Sequence, residues 1–456
     1  MSEPHYKKTL GLADLTLFTV SAIVLLDTLA ATSSIGVSSV TWWALLALTF
    51  ALPIGLITAE LGTTYPEQGG IYAWVRTAFG PKWAARAAWA YWINTAVWVP
   101  SIFVLFSGFA VRLFGVEISL AGQIGISIAL VWLAVIVNCV ALEAGKWVPN
   151  TGAMFKMVVF GTIIFGGIGY GLTHGFANTF PAQDLAPKWS DSLRYLPAII
   201  YGMLGFELVS AGGAEVSNPK RDIPTSILLS GLVIIALYIL GTIGVLAVLP
   251  SGDINLVEGL IDVFHLLFGT EPLGQAIVML LGLATLYTFF SSGVTWALGC
   301  NRASAQAAAE GQLPGFFGIL NKTHGAPVGS AISMGVVCTL MLLVYGRIAT
   351  SNEDLFWALF AFSAVIFLAP YVGMVLAFQR MRKIDPARER PFKAPFAGLL
   401  TVLCLAGLFG AIALLFYVPG DGFQWETIVG VLGALVLGEV LIGVAGLRRD
   451  IPKPAV

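Results

Sequence analysis

The stretch GLADLTLFTVSAIVLLDTLAATSSIG (residues 11–36) decides the fold. It is apolar enough to enter a bilayer, yet it carries Asp27 deep inside it. A carboxylate at that depth costs ~2.5–3.5 kcal/mol on insertion scales, so it marks a functional site by default. A second acid repeats the arrangement: Glu207 lies within GMLGFELVSAGG (202–213), in the sixth apolar run. Small or polar residues interrupt both runs, Ser21, Ala22 and Thr28 in one, Gly202, Gly205 and Ser210 in the other. Such interruptions at matching places in two halves predict broken helices whose free N–H and C=O groups line a site at the bilayer midplane. Ser21, Ala22 and Gly202 are the residues expected to present those groups, and the same small side chains also suit close helix packing.

The rest of the chain agrees with a bilayer as solvent. Of 456 residues, 57% are hydrophobic and 11% charged. A soluble domain carries roughly 25% charged residues, so most of this surface must face lipid. A net charge of −1 argues against a nucleic-acid partner. Cys139, Cys300, Cys338 and Cys404 sit in or beside apolar runs without CxxC spacing and read as small hydrophobes. The N-terminus MSEPHYKK lacks a small-residue cleavage site, so the first run is expected to persist in the mature protein.

Runs near 11–35, 39–63, 84–111, 120–142, 149–173, 195–216, 224–249, 273–300, 328–346, 354–380, 397–417 and 425–447 give twelve expected spans. Lys7, Lys8, Arg76, Lys82, Arg86, Lys146, Lys220, Arg221, Arg302 and Lys322 fall on one side of them. So do Arg380, Arg382, Lys383, Arg388, Arg390 and Lys393, and the tail with Arg448, Arg449 and Lys453. The opposite loops hold only Arg112, Lys188, Arg194 and Arg347. This bias places both termini in the cytoplasm. Residues 69–81 and 255–270 are amphipathic and are expected at the inner and outer interfaces. The reading is one all-α integral membrane domain over 1–456, with a first repeat near 11–173, a second near 195–380, and two added helices near 397–447.

Three motifs then carry a resemblance. Residues 59–81, AELGTTYPEQGGIYAWVRTAFGP, place an acid before P-x-x-G-G-x-Y-x-W and a G-P turn. Residues 205–224, GFELVSAGGAEVSNPKRDIP, join G-F-E to E-x-x-N-P-x-R-x-I-P. Residues 301–314 read NRASAQAAAEGQLP. In this order, over roughly 8–415, they resemble the amino acid–polyamine–organocation superfamily. The resemblance implies a LeuT-type 5+5 inverted repeat with helices 1 and 6 broken, and transport of amino acids or amines. It also implies closing aromatics at Tyr201 and Trp296, and a lysine in span five, Lys156, that takes part in proton coupling. The first span lacks the G-S/A-G break of many members, reading TVSAIVLLDTLAATSSIG (19–36). In this it is similar to the glutamate/GABA-type exchanger branch. Asp27 falls near an acid of the polyamine-uptake branch, which turns the expectation toward an amine.

Asp27 is expected to accept a substrate ammonium through a charge-assisted hydrogen bond, or to be a carboxylate satisfied inside the bundle. Glu207 is expected either at the substrate or as a structural or proton-linked group. Lys156 is a proton carrier or a snorkelling lysine. Tyr201 and Trp296 suit cation–π closure over an ammonium, and Trp98 is a further candidate by its mid-span depth. Glu60 and Glu215 are expected to pair with loop cations, and His265 is expected at the interface. HExxH, Walker and GxSxG patterns do not occur, so neither an enzyme nor an ATP-driven pump is expected, and no cofactor is called for.

The expectation is a secondary active transporter of the plasma membrane. It would work by alternating access on a small amine or amino acid, by proton coupling or exchange. An amino acid antiporter for glutamate or a neutral zwitterion is the alternative. A non-transporting amine sensor and a channel are less favoured, because broken helices in repeats suit a carrier.

Overall fold

The computed structural model describes residues 11–66, 70–140, 144–187, 193, 195–211, 216–255, 259–323, 325–420 and 422–449. Lys7, Lys8, Lys188, Arg194, Glu215 and Lys453, and the side chains of Lys146, Arg448 and Arg449, lie outside the described residues. The first run forms α1 (Leu12–Ile23) and α2 (Leu26–Ser33), bent by 50° at a break. Then come α3 (Ser38–Thr64), α4 (Ile71–Phe79), α5 (Pro81–Phe114), α6 (Leu120–Val140) and α7 (Trp147–His174). The sixth run forms α8 (Leu196–Tyr201) and α9 (Leu208–Ala211). The remainder is α10 (Pro219–Val248), α11 (Gly259–Phe268), α12 (Pro272–Ala309) and α13 (Val328–Tyr345). It ends with α14 (Asn352–Ile384), α15 (Ala397–Phe416) and α16 (Trp425–Arg449). Strands β1 (Tyr417–Val418) and β2 (Gly422–Phe423) make a short antiparallel hairpin between the last two helices.

Among the described residues, ten helices are long and apolar enough to cross a membrane, and the bent pair α1/α2 adds an eleventh. The pieces of the sixth run are too short to be counted this way, because its middle is not helical. Several spans outrun the apolar stretches that announced them. At 1.5 Å per residue, the 38 residues of α12 reach ~57 Å, far beyond ~30 Å of hydrocarbon. Helix-favouring residues simply continue the helix past the bilayer, as in the AQAAA end of α12.

Local signals explain the boundaries. Gly80, at φ 88°, turns the chain in a region that side chains avoid, and Pro81 then opens α5 at a position that needs no N–H. Ser351 caps α14 by accepting from the Asp354 N–H at 3.0 Å, with two acids in the first turn facing the helix dipole. Helix α5 is the central post. It packs against α12 and α14, and α14 in turn packs on α4. Helices α1 and α10 form a second pair beside α3 and α7. Gly167 and Gly244 let α7 and α10 approach so closely that a Cβ on either would overlap the other backbone, a contact typical of membrane helices.

The outer surface is apolar. Phe165 is 80% exposed and Leu273 75%, and exposed leucines and valines run along α3, α6, α10, α13, α15 and α16. Water would not tolerate so large an apolar belt, so it faces lipid. Cys300, Cys338 and Cys404 are buried and unbridged, as small hydrophobes would be. In α11, Leu260, Ile261, Val263 and Phe264 turn inward, while His265 stays exposed.

Candidate functional site at two broken helices

The last four carbonyls of a helix have no partner within it. In α1 every one of them finds a partner. Val20 accepts from the Val24 N–H at 2.9 Å. The Ser21 carbonyl accepts from Lys156 Nζ at 2.5 Å, and the Ala22 carbonyl from Trp296 Nε1 at 3.0 Å. The Ile23 carbonyl accepts from the Tyr238 hydroxyl at 2.9 Å, and that hydroxyl oxygen accepts from the Leu25 N–H across the break, also at 2.9 Å. Side chains from α7, α12 and α10 therefore hold the break open. Ser21 and Ala22 present carbonyls as expected, here to Lys156 and Trp296.

Beyond the break, Asp27 lies in the first turn of α2, where a helix N-terminus favours negative charge. It is 2% exposed, and its Oδ1 has no hydrogen-bond partner among the described residues. Lys156, Tyr201 and Tyr238 all lie close enough for the Asp27 charge to act on them. The acid faces protein, not lipid.

The second break follows α8. Gly202 sits against Thr28 of α2, where a Cβ would come within 2.6 Å of the threonine methyl. Gly205 has a φ of 127°, open only to glycine, and a Cβ there would meet Ile23 at 2.8 Å. The two breaks thus rest on each other. Glu207 follows, 3% exposed. Its Oε1 accepts from the Tyr91 hydroxyl at 2.7 Å and the Tyr371 hydroxyl at 2.8 Å, while Oε2 has no partner among the described residues. Glu207 also lines a cavity of about 30 Å³ with Tyr72, Tyr91 and Gly299, enough for one water.

An aromatic cluster connects the acids. Tyr201 packs on Phe367 with ring centroids 4.8 Å apart, and Phe367 on Tyr371 at 5.0 Å. Trp296 meets Phe367 at 5.4 Å and Trp98 at 6.1 Å. The Trp98 indole N–H is buried without a partner among the described residues. The structure therefore gathers Ser21, Ala22, Asp27, Lys156 and Trp296 at the first break, with Tyr201 and Gly202 reaching it from the end of α8 and Trp98 beside Trp296. Glu207 stands apart, joined to them through Phe367 and Tyr371.

Sequence reasoning missed Tyr91, Tyr238, Phe367 and Tyr371. Two signals were available. A tyrosine inside an apolar run, such as Tyr238, needs a partner for its hydroxyl when buried. Residues 360, 367 and 371 recur at helical spacing along one face of α14.

At the end of the molecule near α4, Glu60 pairs with Arg382 and with Arg390 at 3.3 Å, and accepts from the Ala394 N–H at 2.7 Å. The expected pairing of Glu60 with loop cations is thus present. Nearby, Glu310 accepts from Tyr72 at 2.6 Å and from Arg76 at 2.5 Å. Burial alone would push the Glu310 carboxyl up, but the hydrogen bonds from Arg76, Tyr72 and Gln306 outweigh it and hold it below its usual range. Burial and the same carboxylate push the Tyr72 hydroxyl well up.

A family model described as amino acid permease matches residues 10–438. The chain is 32% identical to a probable agmatine/putrescine antiporter of Lactococcus lactis, over 96% of this chain and 95% of that protein. It is 26% identical to a glutamate/gamma-aminobutyrate antiporter of the same organism, over 79% and 75%. It is 25% identical to a polyamine transporter of Oryza sativa, over 87% and 70%. With its apolar belt, its spans and these matches, the chain belongs to the amino acid permease family, multi-pass membrane transporters of the amino acid–polyamine–organocation superfamily.

Proposed function

We propose that this protein exchanges organic amines, diamines and agmatine-like cations foremost, across the plasma membrane by alternating access. The observation that supports this reading most is a pair of buried carboxylates, each with one oxygen that has no partner among the described residues, Asp27 Oδ1 and Glu207 Oε2. A buried acceptor left unsatisfied is costly, and an ammonium is the donor that satisfies it best. Two such acceptors joined by aromatic rings suit a cation with two basic ends. The 32% identity to a probable agmatine/putrescine antiporter over nearly the whole chain supports the same class.

In this reading the molecule has twelve spans in two inverted repeats, near 11–173 and 195–380, with 397–447 added. Both termini and α4 lie in the cytoplasm, and α11 lies outside. The ammonium sits at Asp27, with Tyr201 and Trp296 closing over it, and Ser21, Ala22 and Gly202 framing it. Trp296 leaves the Ala22 carbonyl as the pocket opens. Lys156 exchanges a proton with the site, or its fixed charge sets the resting balance with Asp27 during amine exchange.

A second reading, an amino acid exchanger, has one observation in its favour. The unpartnered Trp98 N–H is a donor that a substrate carboxylate would satisfy. Purified protein in liposomes separates the two. Labelled putrescine, agmatine and glutamate are each offered to vesicles preloaded with the same solute unlabelled, with and without a pH gradient. Counterflow of the amines alone supports the amine exchanger, and counterflow of glutamate alone rejects it.

A further inference from the structure

Glu353, in the first turn of α14, lines a cavity of about 510 Å³ at the end of the molecule opposite α4. The other polar walls are Arg112, Glu117, Gln123, Asn255, Ser351 and Asn352, from the end of α5, the α5–α6 loop, the starts of α6 and α14 and the loop before α11. Its size falls in the range of small-molecule sites, roughly 300–1,000 Å³. The chemistry of the walls is that of an acceptor. Gln123 Nε2 donates to the Ile118 carbonyl at 3.0 Å, so its Oε1 faces Asn352 and accepts from Nδ2 at 2.7 Å. Asn352 Nδ2 also donates to the Val104 carbonyl at 2.9 Å. These bonds fix the sense of the Asn352 amide and leave its Oδ1 shielded from solvent without a partner among the described residues. Among the described residues, Glu353 receives only long hydrogen bonds, from Asn255 and Trp357, both at 3.4 Å. Arg112, the cation in the wall, is held by Asp262 at 3.2 Å. Among the described residues no group of three or more His, Cys, Asp or Glu could hold a metal, and carboxylate and amide oxygens such as these suit an ammonium through charge-assisted hydrogen bonds.

The cavity does not stand alone. Glu353, Trp357, Phe360, Ala364, Phe367 and Tyr371 follow one another at spacings of three and four, and so share one face of α14. Their rings make a continuous line. Trp357 meets Phe360 at 5.7 Å, Phe360 meets Tyr201 at 5.1 Å, Tyr201 meets Phe367 at 4.8 Å, and Phe367 meets Tyr371 at 5.0 Å. Tyr371 then donates to Glu207. From Glu353 to Tyr371 the stripe climbs ~27 Å, close to the thickness of the hydrocarbon layer. An acid stands at each end, and between them lie aromatic faces that attract an ammonium.

We propose that the Glu353 cavity is a second, weaker amine site, where a cationic substrate loads before it moves along the α14 aromatic face to the central site. This rests on the amine reading above. The test is equilibrium binding of labelled putrescine to the full-length protein in nanodiscs. Wild type is expected to show two classes of site. Glu117→Gln combined with Glu353→Gln removes the weaker class, and raises KM for uptake from that face several-fold while moving kcat less. Asp27→Asn removes the tighter class and spares the weaker one, which also shows that the variants fold. A single class lost in Asp27→Asn overturns the loading site and leaves the central reading intact. A single class that survives Asp27→Asn and is lost in the double variant overturns the central reading instead. No putrescine binding overturns both. Displacement of the weaker class by calcium chloride at matched ionic strength would make it a metal site and overturn its assignment to an amine.

Discussion

Lys156 donates to the carbonyl of Ser21 at 2.5 Å, and so ties α7 to the last turn of α1 just before its break. The same ammonium lies within reach of the Asp27 charge on the far side of that break. One residue therefore senses both ends of the broken helix. Any change in the charge of Lys156 alters the grip of α7 on α1 and the field at Asp27 together.

For that reason Lys156→Ala is expected to transport amine with a flattened dependence on pH. Uptake into liposomes, measured across pH 5 to about 8, where proton-linked groups respond, would show the loss. A variant profile that tracks wild type would remove Lys156 from the coupling.

Asp27→Asn keeps the shape of the side chain and removes its charge. It is expected to abolish the thermal shift produced by putrescine at concentrations that fill only the tighter class of site, while the melting temperature of the empty protein moves little. Unchanged affinity in that titration would reject Asp27 as the ammonium partner.

Tyr238→Phe deletes the hydroxyl that serves Ile23 and Leu25. Both backbone groups are then left buried and unpaired, at a cost of about 1–3 kcal/mol each. A melting temperature lowered by several degrees is expected, with impaired transport. A variant as stable as wild type would mean that water or another group patches the break.

The Glu60 network predicts a purely structural effect. Glu60 is 2% exposed and its partners are arginines from the end of α14 and the loop after it. Glu60→Gln leaves two guanidinium groups without their carboxylate, and breaking such a buried arrangement costs about 3–5 kcal/mol. Strong destabilisation with unaltered putrescine affinity in the surviving fraction is expected from melting and binding curves.

Glu310 gives a pH signature. Its carboxyl is held below the ordinary value of 4.5, so its stabilising effect is complete above that value and fades as pH falls through the lower, folded one. Glu310→Gln should melt below wild type at neutral pH and converge with it in acid. The difference will be small, under about 1 kcal/mol, since both partners are partly solvated. A gap that widens on acidification would contradict this sign.

Much of the architecture was legible from the chain because the bilayer imposes long apolar runs and punishes buried charge. Asp27 and Glu207 stood out for that reason alone, and the small residues around them announced the breaks. Tyr238, Tyr91, Phe367 and Tyr371 did not stand out. An aromatic residue in an apolar run looks the same whether it meets lipid, packs a core or holds a carboxylate. Phe165 is 80% exposed and Tyr371 1%, yet both sit in equally apolar surroundings in the sequence. The ends of α12 and α14 were also illegible from hydropathy, because a helix continues past the membrane on propensity, not on apolarity.

The sequence by itself determined that this protein is helical, lies in a membrane, and carries acids where two helices are interrupted. Those facts follow from transfer free energies, which depend on residue type alone. Only the tertiary structure decided who satisfies the broken ends. Three side chains from three other helices take the carbonyls of Ser21, Ala22 and Ile23, and no local pattern records that choice. Hydrogen bonds are short and directional, so their partners are fixed by how the helices pack in space and not by their order along the chain.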